Sequence, residues 1–200
     1  MTETPTSSPS SYERANTFIA TVYRLCEDPG KRAALRSGLA RPITQSPRMH
    51  QVIAARVPSP RPGEDRDALQ QAYYSVASMI ASLPPQARGI PSPGNRRNFG
   101  VCLAEAVGRG TIRETSAESR LTLLTRQNER GLHRHLPTTA LFISTRPGAV
   151  DWAQLLIDLR RWDREREDIA RHWLQAYYRT RFKAERDAAR LADETDHEND

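Results

Sequence analysis

Four short clusters in this chain hold the residue types from which catalytic or metal chemistry is built. His133-Arg134-His135 places two imidazoles two residues apart. On a helix that spacing turns them about 200° away from each other, so they cannot share a metal ion. No cysteine or carboxylate cluster stands beside them, and a solvated or phosphate-contacting pair is expected. Glu165-Arg166-Glu167-Asp168 brings acids together, but on a helix surface such a run forms an ion-paired, solvated face. Gly108-Arg109-Gly110 is too short to cradle a phosphate and reads as a turn between helices. Cys26 and Cys102 fall on apolar helical faces and suit core packing. No nucleophile, base and orienting group come together. Neither an enzyme, a metal site nor a cofactor is expected.

Arginine carries the more informative pattern. It supplies 28 of the 30 cations in a chain of net charge +6 and pI near 9.8. Arginine binds phosphate through two parallel donors and stacks on bases, which lysine cannot do. Codon preference can also favour arginine, so its clustering matters more than its number. Seven basic residues and no acid lie between Lys31 and Gly63. Arg88, Arg96, Arg97, Arg109 and Arg113 stand against Glu105 alone between Gln86 and Arg113, and five arginines stand against Glu129 alone between Arg120 and Arg146. The tail from Ala184 reverses the sign, with seven acids against Arg186 and Arg190. A polyanion partner follows from this distribution. Arg120, Arg126, Arg130 and Arg134 recur at intervals of four to six. Arg96 and Arg97 are expected to open a helix, whose free N–H groups attract phosphate. Arg32, Arg36, Arg41 and Arg88 complete the candidate nucleic-acid-binding set. Such contacts hold backbone without reading sequence. Aromatic residues do not interleave with these arginines along the chain as on a base-stacking platform.

The elements that must carry these arginines are helical. Phe18, Val22 and Leu25 recur at helical spacing up to the break at Asp28-Pro29-Gly30. A short helix is expected from Lys31 to about Ala40, then a loop over 56–64. Asp65 or Asp67 can cap a helix with Leu69, Tyr73, Val76, Ile80 and Leu83 on one stripe. After a proline- and glycine-rich stretch, a helix with Phe99, Leu103 and Val107 is expected from about Arg96. Thr115 or Ser116 can cap one holding Leu121 and Leu124. Leu132, Leu136, Ala140 and Ile143 mark another, which Pro137 must kink or restart. Asp151 suits the cap of a helix with Trp152, Leu155, Leu156, Leu159 and Trp162 inward. A last long helix with Ile169, Trp173 and Tyr177 is expected to fray into the acidic tail. No segment alternates with period two, and there is no internal repeat. The expected fold is all-α, about eight or nine helices in a two-lobed bundle. The lobes are residues 11–83 and 95–183, joined by the basic loop 84–94, with a disordered segment over 1–10 and an acidic tail over 184–200. The N-terminus lacks the cationic start and apolar run of a signal peptide, and no apolar stretch is long enough for a membrane. Two cysteines without a pairing pattern fit a reduced, cytoplasmic setting.

The order of motifs in the C-terminal half carries a resemblance. Asn98-Phe99-Gly100-x-x-Leu103-Ala104 is followed by Glu118-Ser119-Arg120-Leu121, then Leu132-x-x-His135-Leu136. Asp151-Trp152-x-x-Leu155-Leu156-x-Asp158-Leu159-x-x-Trp162 and Arg171-x-Trp173 come next, before Tyr177-Tyr178. This order resembles the CasB family, the small subunit of the type I-E CRISPR Cascade surveillance complex, over about residues 95–180 and more loosely from Phe18 to Pro42. Pro137 departs from the arginine that often follows the His-Leu pair, which would pass its contact to Arg134. The resemblance implies a non-catalytic helical protein present as a pair beside the large and backbone subunits. It would hold guide RNA and target DNA by their backbones while base pairing reads sequence, and steady the displaced strand of the R-loop. It also implies phosphate contacts by Arg32, Arg36, Arg96, Arg97, Arg120 and Arg134. Two other classes remain open from the residues alone: a free-standing nucleic-acid-binding protein, and a helical scaffold that binds only protein.

Overall fold

Capping side chains decide where most of the helices begin. The computed structural model describes residues 9–89 and 96–198, with eight α-helices and no strand among them. The expectations for residues 1–8 and for 90–94 of the loop lie outside the described residues.

Helix α1 (Ser11–Leu25) is started by a reciprocal cap. The Glu13 N–H donates to the Ser10 hydroxyl at 3.1 Å and the Ser10 N–H to the Glu13 carboxylate at 2.5 Å. Ser10 is thus an ordered cap and not part of a disordered segment. The Asp28-Pro29-Gly30 break doubles as a start signal. Asp28 accepts from the N–H groups of Gly30 and Lys31 at 2.8 and 3.0 Å, and Pro29 takes the first helical position. Helix α2 (Pro29–Arg36) therefore begins earlier than expected, and it ends at Arg36 rather than near Ala40. Ala40 lies in the left-handed region at φ 57°.

Helix α3 (Pro47–Ile53) had no counterpart in the sequence reading. It is two turns long and buries only Met49 and Ile53, too little for a periodic signal. Helix α4 (Arg66–Ala81) is capped by Asp65, which accepts from the Ala68 N–H at 2.8 Å. Leu83 lies just past its end and is buried all the same.

Helix α5 (Phe99–Gly108) starts after Asn98, whose side chain accepts from the Val101 N–H at 3.1 Å. Arg96 and Arg97 precede the helix and do not open it. Gly110, at φ 69°, turns the chain as expected into α6 (Glu114–Thr125). That helix begins ahead of Thr115 and Ser116, with Arg113 at the cap position making no side-chain bond. Helix α7 (Glu129–Ile143) is capped by Asn128 and contains a buried Pro137 without interruption. The proline removes one bond, to the His133 carbonyl, and the buried face formed by Leu132, Leu136, Ala140 and Ile143 holds the helix through it. Helix α8 (Trp152–Glu198) bends at Glu165, whose backbone is non-helical at φ −127°, ψ 25°. It stays helical to Glu198 instead of fraying into the tail.

Helix α8 is the spine: α1, α4, α5, α6 and α7 all pack on it. Its closest partner is α5. A Cβ built at Gly100 would lie 1.9 Å from the Trp173 carbonyl oxygen, so only glycine allows this approach. Phe99 and Trp162 both pack on the Trp173 ring, at 5.2 and 5.1 Å. All three tryptophans are core residues. One continuous apolar cluster joins side chains from Ala15 to Tyr177. No described helix is long and apolar enough to cross a membrane.

Candidate nucleic-acid interface

The exposed edge of α7 carries a basic stripe. Leu132, Leu136, Ala140 and Ile143 face the core, which turns Arg130, Arg134, Thr138 and Phe142 outward at intervals of four. Arg120, on α6, reaches across to this stripe. Its guanidinium lies 5.2 Å from the centre of the Phe142 ring and within 3.5 Å of the Thr139 hydroxyl. Arg126 is exposed where α6 ends. Arg120, Arg126, Arg130 and Arg134 have no ion-pair partner among the described residues, whereas ten pairs involve other residues. Four unneutralised guanidinium groups and an exposed ring on one surface suit a polyanion with planar groups.

A second group lies near α2. Arg32 and Arg36 are one turn apart, with Arg36 exposed and Arg32 half-buried. Burial pushes the Cys26 thiol up to about 11, outweighing Arg32 and Arg88, which both draw it toward ionisation. Arg88 is fixed by donating to the Leu83 carbonyl at 2.9 Å. Arg41 is exposed, and its carbonyl accepts from Gln71 at 3.3 Å.

Arg96 and Arg97 part company despite being neighbours. Arg96 is exposed and lies over the Tyr12 ring at 4.5 Å. Arg97 points into the protein, where it pairs with Glu105 at 2.5 Å and donates to the Gly148 carbonyl at 2.6 Å. Its backbone N–H donates to Asp151 at 3.1 Å. Those bonds make Arg97 a brace between α5 and the start of α8 and leave its guanidinium engaged within the protein. Arg109 shares the same carboxylate at 3.6 Å, and burial lowers its basicity with Arg146 adding repulsion.

The other clusters find structural duties. His133 is buried rather than solvated, and burial pushes its imidazole down to about 4. His135, half-buried, does not share its environment. Arg161–Glu165 and Asp168–Arg171 are ion pairs on α8, as a solvated face requires. Cys102 is fully buried and its thiol is pushed up to about 12. Among the described residues no three His, Cys, Asp or Glu side chains stand together to hold a metal.

Sequence reasoning missed the aromatic partners. Tyr12 lies far from Arg96 along the chain, Phe142 far from Arg120, and Tyr73 far from Arg160 (5.8 Å from ring centre to guanidinium). Arginine and aromatic rings interleave in space although not in sequence. Only the long-range packing of helices brings them together, so no local pattern could have disclosed them.

The model for CRISPR-associated protein Cse2 matches residues 31–178. No curated protein matches. Among solved structures, a chain of a CRISPR RNA-guided surveillance complex is 35% identical, with a TM-score of 0.78, the match covering 90% of this chain and 99% of that one. CasB from M. ruber is 27% identical with a TM-score of 0.64, over 89% of this chain and 98% of that one. A Cse2-family protein from Thermus thermophilus, at 24% identity and a TM-score of 0.61 over 82% of this chain and 97% of that one, shares the fold.

Proposed function

This chain belongs to the CRISPR-associated Cse2 family, and on that footing we propose that it is the small subunit of a type I-E RNA-guided surveillance complex. It works there as a non-catalytic clamp on guide RNA and target DNA, in the cytoplasm, beside the large and backbone subunits and a second copy of itself. The stripe formed by Arg120, Arg126, Arg130 and Arg134 carries this reading. Arg126, Arg130 and Arg134 are exposed and Arg120 is half-buried against Phe142; the four lack ion-pair partners among the described residues and are carried by two helices packed on the core. Arg32, Arg36, Arg41, Arg88 and Arg96 extend the basic surface. Arg97 is left out, because its guanidinium is engaged by Glu105 and Gly148.

The contacts expected from such a surface are to phosphates, with sequence read by base pairing between guide and target. The chain then steadies the R-loop and its displaced strand. The two lobes, 11–83 and 95–183, each bring part of the arginine set to the nucleic acid. Tyr178 and Phe182, exposed on α8 and stacked 6.1 Å apart, support contact with a protein neighbour in the same assembly.

Replacing Arg130 and Arg134 with alanine tests the reading. Both are exposed, so folding should survive. Each lost phosphate contact should lower the slope of log affinity against log salt by about 0.7 to 0.9 and weaken all sequences equally. The R-loop held by the assembled complex should shorten in lifetime. An unchanged salt slope and an unchanged R-loop lifetime would remove the stripe from the interface.

A further inference from the structure

Helix α8 carries two aromatic rings that the fold leaves uncovered. Tyr177 is its last buried side chain among the described residues, and every residue from Phe182 to Leu191 is exposed. Tyr178 is 38% and Phe182 58% exposed. One turn apart, they share a face of the helix. Their rings are stacked, with centroids 6.1 Å apart and planes inclined by 28°. The buried Tyr177 ring meets Tyr178 edge to face at 5.2 Å, which ties the exposed pair to the core.

Elsewhere this protein covers rings with its own arginines. The guanidinium groups of Arg96, Arg120 and Arg160 lie over Tyr12, Phe142 and Tyr73. Among the described residues none lies over Tyr178 or Phe182, although Arg179, Arg181 and Arg186 belong to the same stretch of helix. Arg181 is drawn aside to Glu114 at 2.8 Å and Glu185 at 3.5 Å. Glu118, on α6 like Glu114, has no ion-pair partner among the described residues. Burial raises the Tyr178 hydroxyl, and the carboxylates of Glu118 and Glu114 raise it further, which puts both acids beside the exposed ring. Three carboxylates therefore border two bare rings, with Arg181 shared between two of them.

That arrangement selects among occupants. A phosphate chain would be repelled by the carboxylates. An aliphatic side chain would cover the rings but leave Glu118 unanswered. An ammonium would answer the charge but has no plane to lay on a ring. A guanidinium does both, because its face stacks on an aromatic ring while its N–H fork bonds a carboxylate.

We propose that this face of α8 seats an arginine side chain of a protein neighbour, its guanidinium on the Tyr178–Phe182 rings and bonded to Glu118. The proposal rests on the assembly reading above and names the chemistry of the neighbour that α8 meets. Protein interfaces are enriched in the pairing of aromatic residues and arginine that it requires.

The test uses the assembled complex, purified from cells that express the tagged chain with its genomic neighbours. With p-benzoylphenylalanine at position 182, illumination should join that position to a protein peptide, and mass spectrometry should find an arginine within a residue or two of the link. A link to nucleic acid, a link to a peptide without arginine, or no link from a chain that is in the complex overturns the proposal and leaves membership standing. Dissociation from the immobilised complex gives a second readout. Phe182→Leu keeps apolar bulk and loses the ring, and should leave about fivefold faster than the parent. Phe182→Trp should leave no faster than the parent, and Glu118→Gln should leave about fivefold faster. An unchanged melting curve shows that each variant folds. Equal rates for Phe182→Leu and the parent overturn the stacked arginine. Failure of the parent itself to join any complex overturns the assembly reading, and this proposal with it.

Discussion

Two buried ionisable side chains set opposite pH responses in this protein. Asp158 accepts from Trp173 Nε1 at 2.7 Å and from Gln154 at 2.8 Å, and burial raises its carboxyl to about 6. The folded state thus keeps a proton that an unfolded aspartate releases near pH 4. Stability from this group is present at low pH and falls as pH rises from about 4 to about 6. His133 acts in the reverse sense. Burial lowers its imidazole to about 4, so the unfolded chain takes up a proton from about pH 6.5 downward while the folded one refuses it. Stability from His133 is lost as pH falls through that window, and the two effects largely cancel. Asp158→Asn should leave urea midpoints that rise more steeply with pH between about 4.5 and 6, and His133→Gln should tilt them the other way. Parallel profiles for both variants and the parent would contradict this assignment. Asp151 is the other decisive residue. It accepts from the Gln154 N–H at 2.9 Å, from Tyr12 at 2.9 Å and from the Arg97 N–H at 3.1 Å, joining α1, the segment that leads into α5, and α8. Asp151→Ala should cost about 2 kcal/mol or more, read from chemical denaturation, because a cap and two further donors lose their partner together.

At the scale of elements, the motifs that carried the resemblance prove to be instructions for packing. Asn98 caps α5, Phe99 meets Trp173, and Gly100 lets the two helices touch through the Trp173 carbonyl. Asp158 holds Trp173 by its indole N–H, and Trp162 donates to the Gln127 carbonyl at 3.2 Å. Gly100→Ala should therefore push α5 from α8 and destabilise the fold by about 1–3 kcal/mol, visible as a lowered melting temperature. A change below about half a kcal/mol would contradict the close approach seen here. The same logic explains what sequence could disclose. Long helices with a broad apolar stripe, such as α4 and the first part of α8, were legible from spacing alone. Helix α3 was not, because two turns burying two side chains show no period. Nor was the engagement of Arg97, since its partners Glu105, Gly148 and Asp151 come from two separate elements.

At the scale of the whole molecule, one continuous core supports the stripe. The division into lobes at 84–94 is, in our proposal, a matter of how the surface is presented and not of separate stability. Thermal unfolding should then follow one cooperative transition by both fluorescence and circular dichroism, and two resolved transitions would argue for independent lobes. A rigid body with basic side chains on its helices suits a subunit that holds a strand while a guide reads it. The central claim is membership in such an assembly, and co-purification tests it most directly. The tagged chain would be expressed with its genomic neighbours and the bound nucleic acid sequenced. The account predicts a large complex that carries guide RNAs of uniform length and contains this chain in two copies. Recovery of the chain alone, free of RNA, would contradict it.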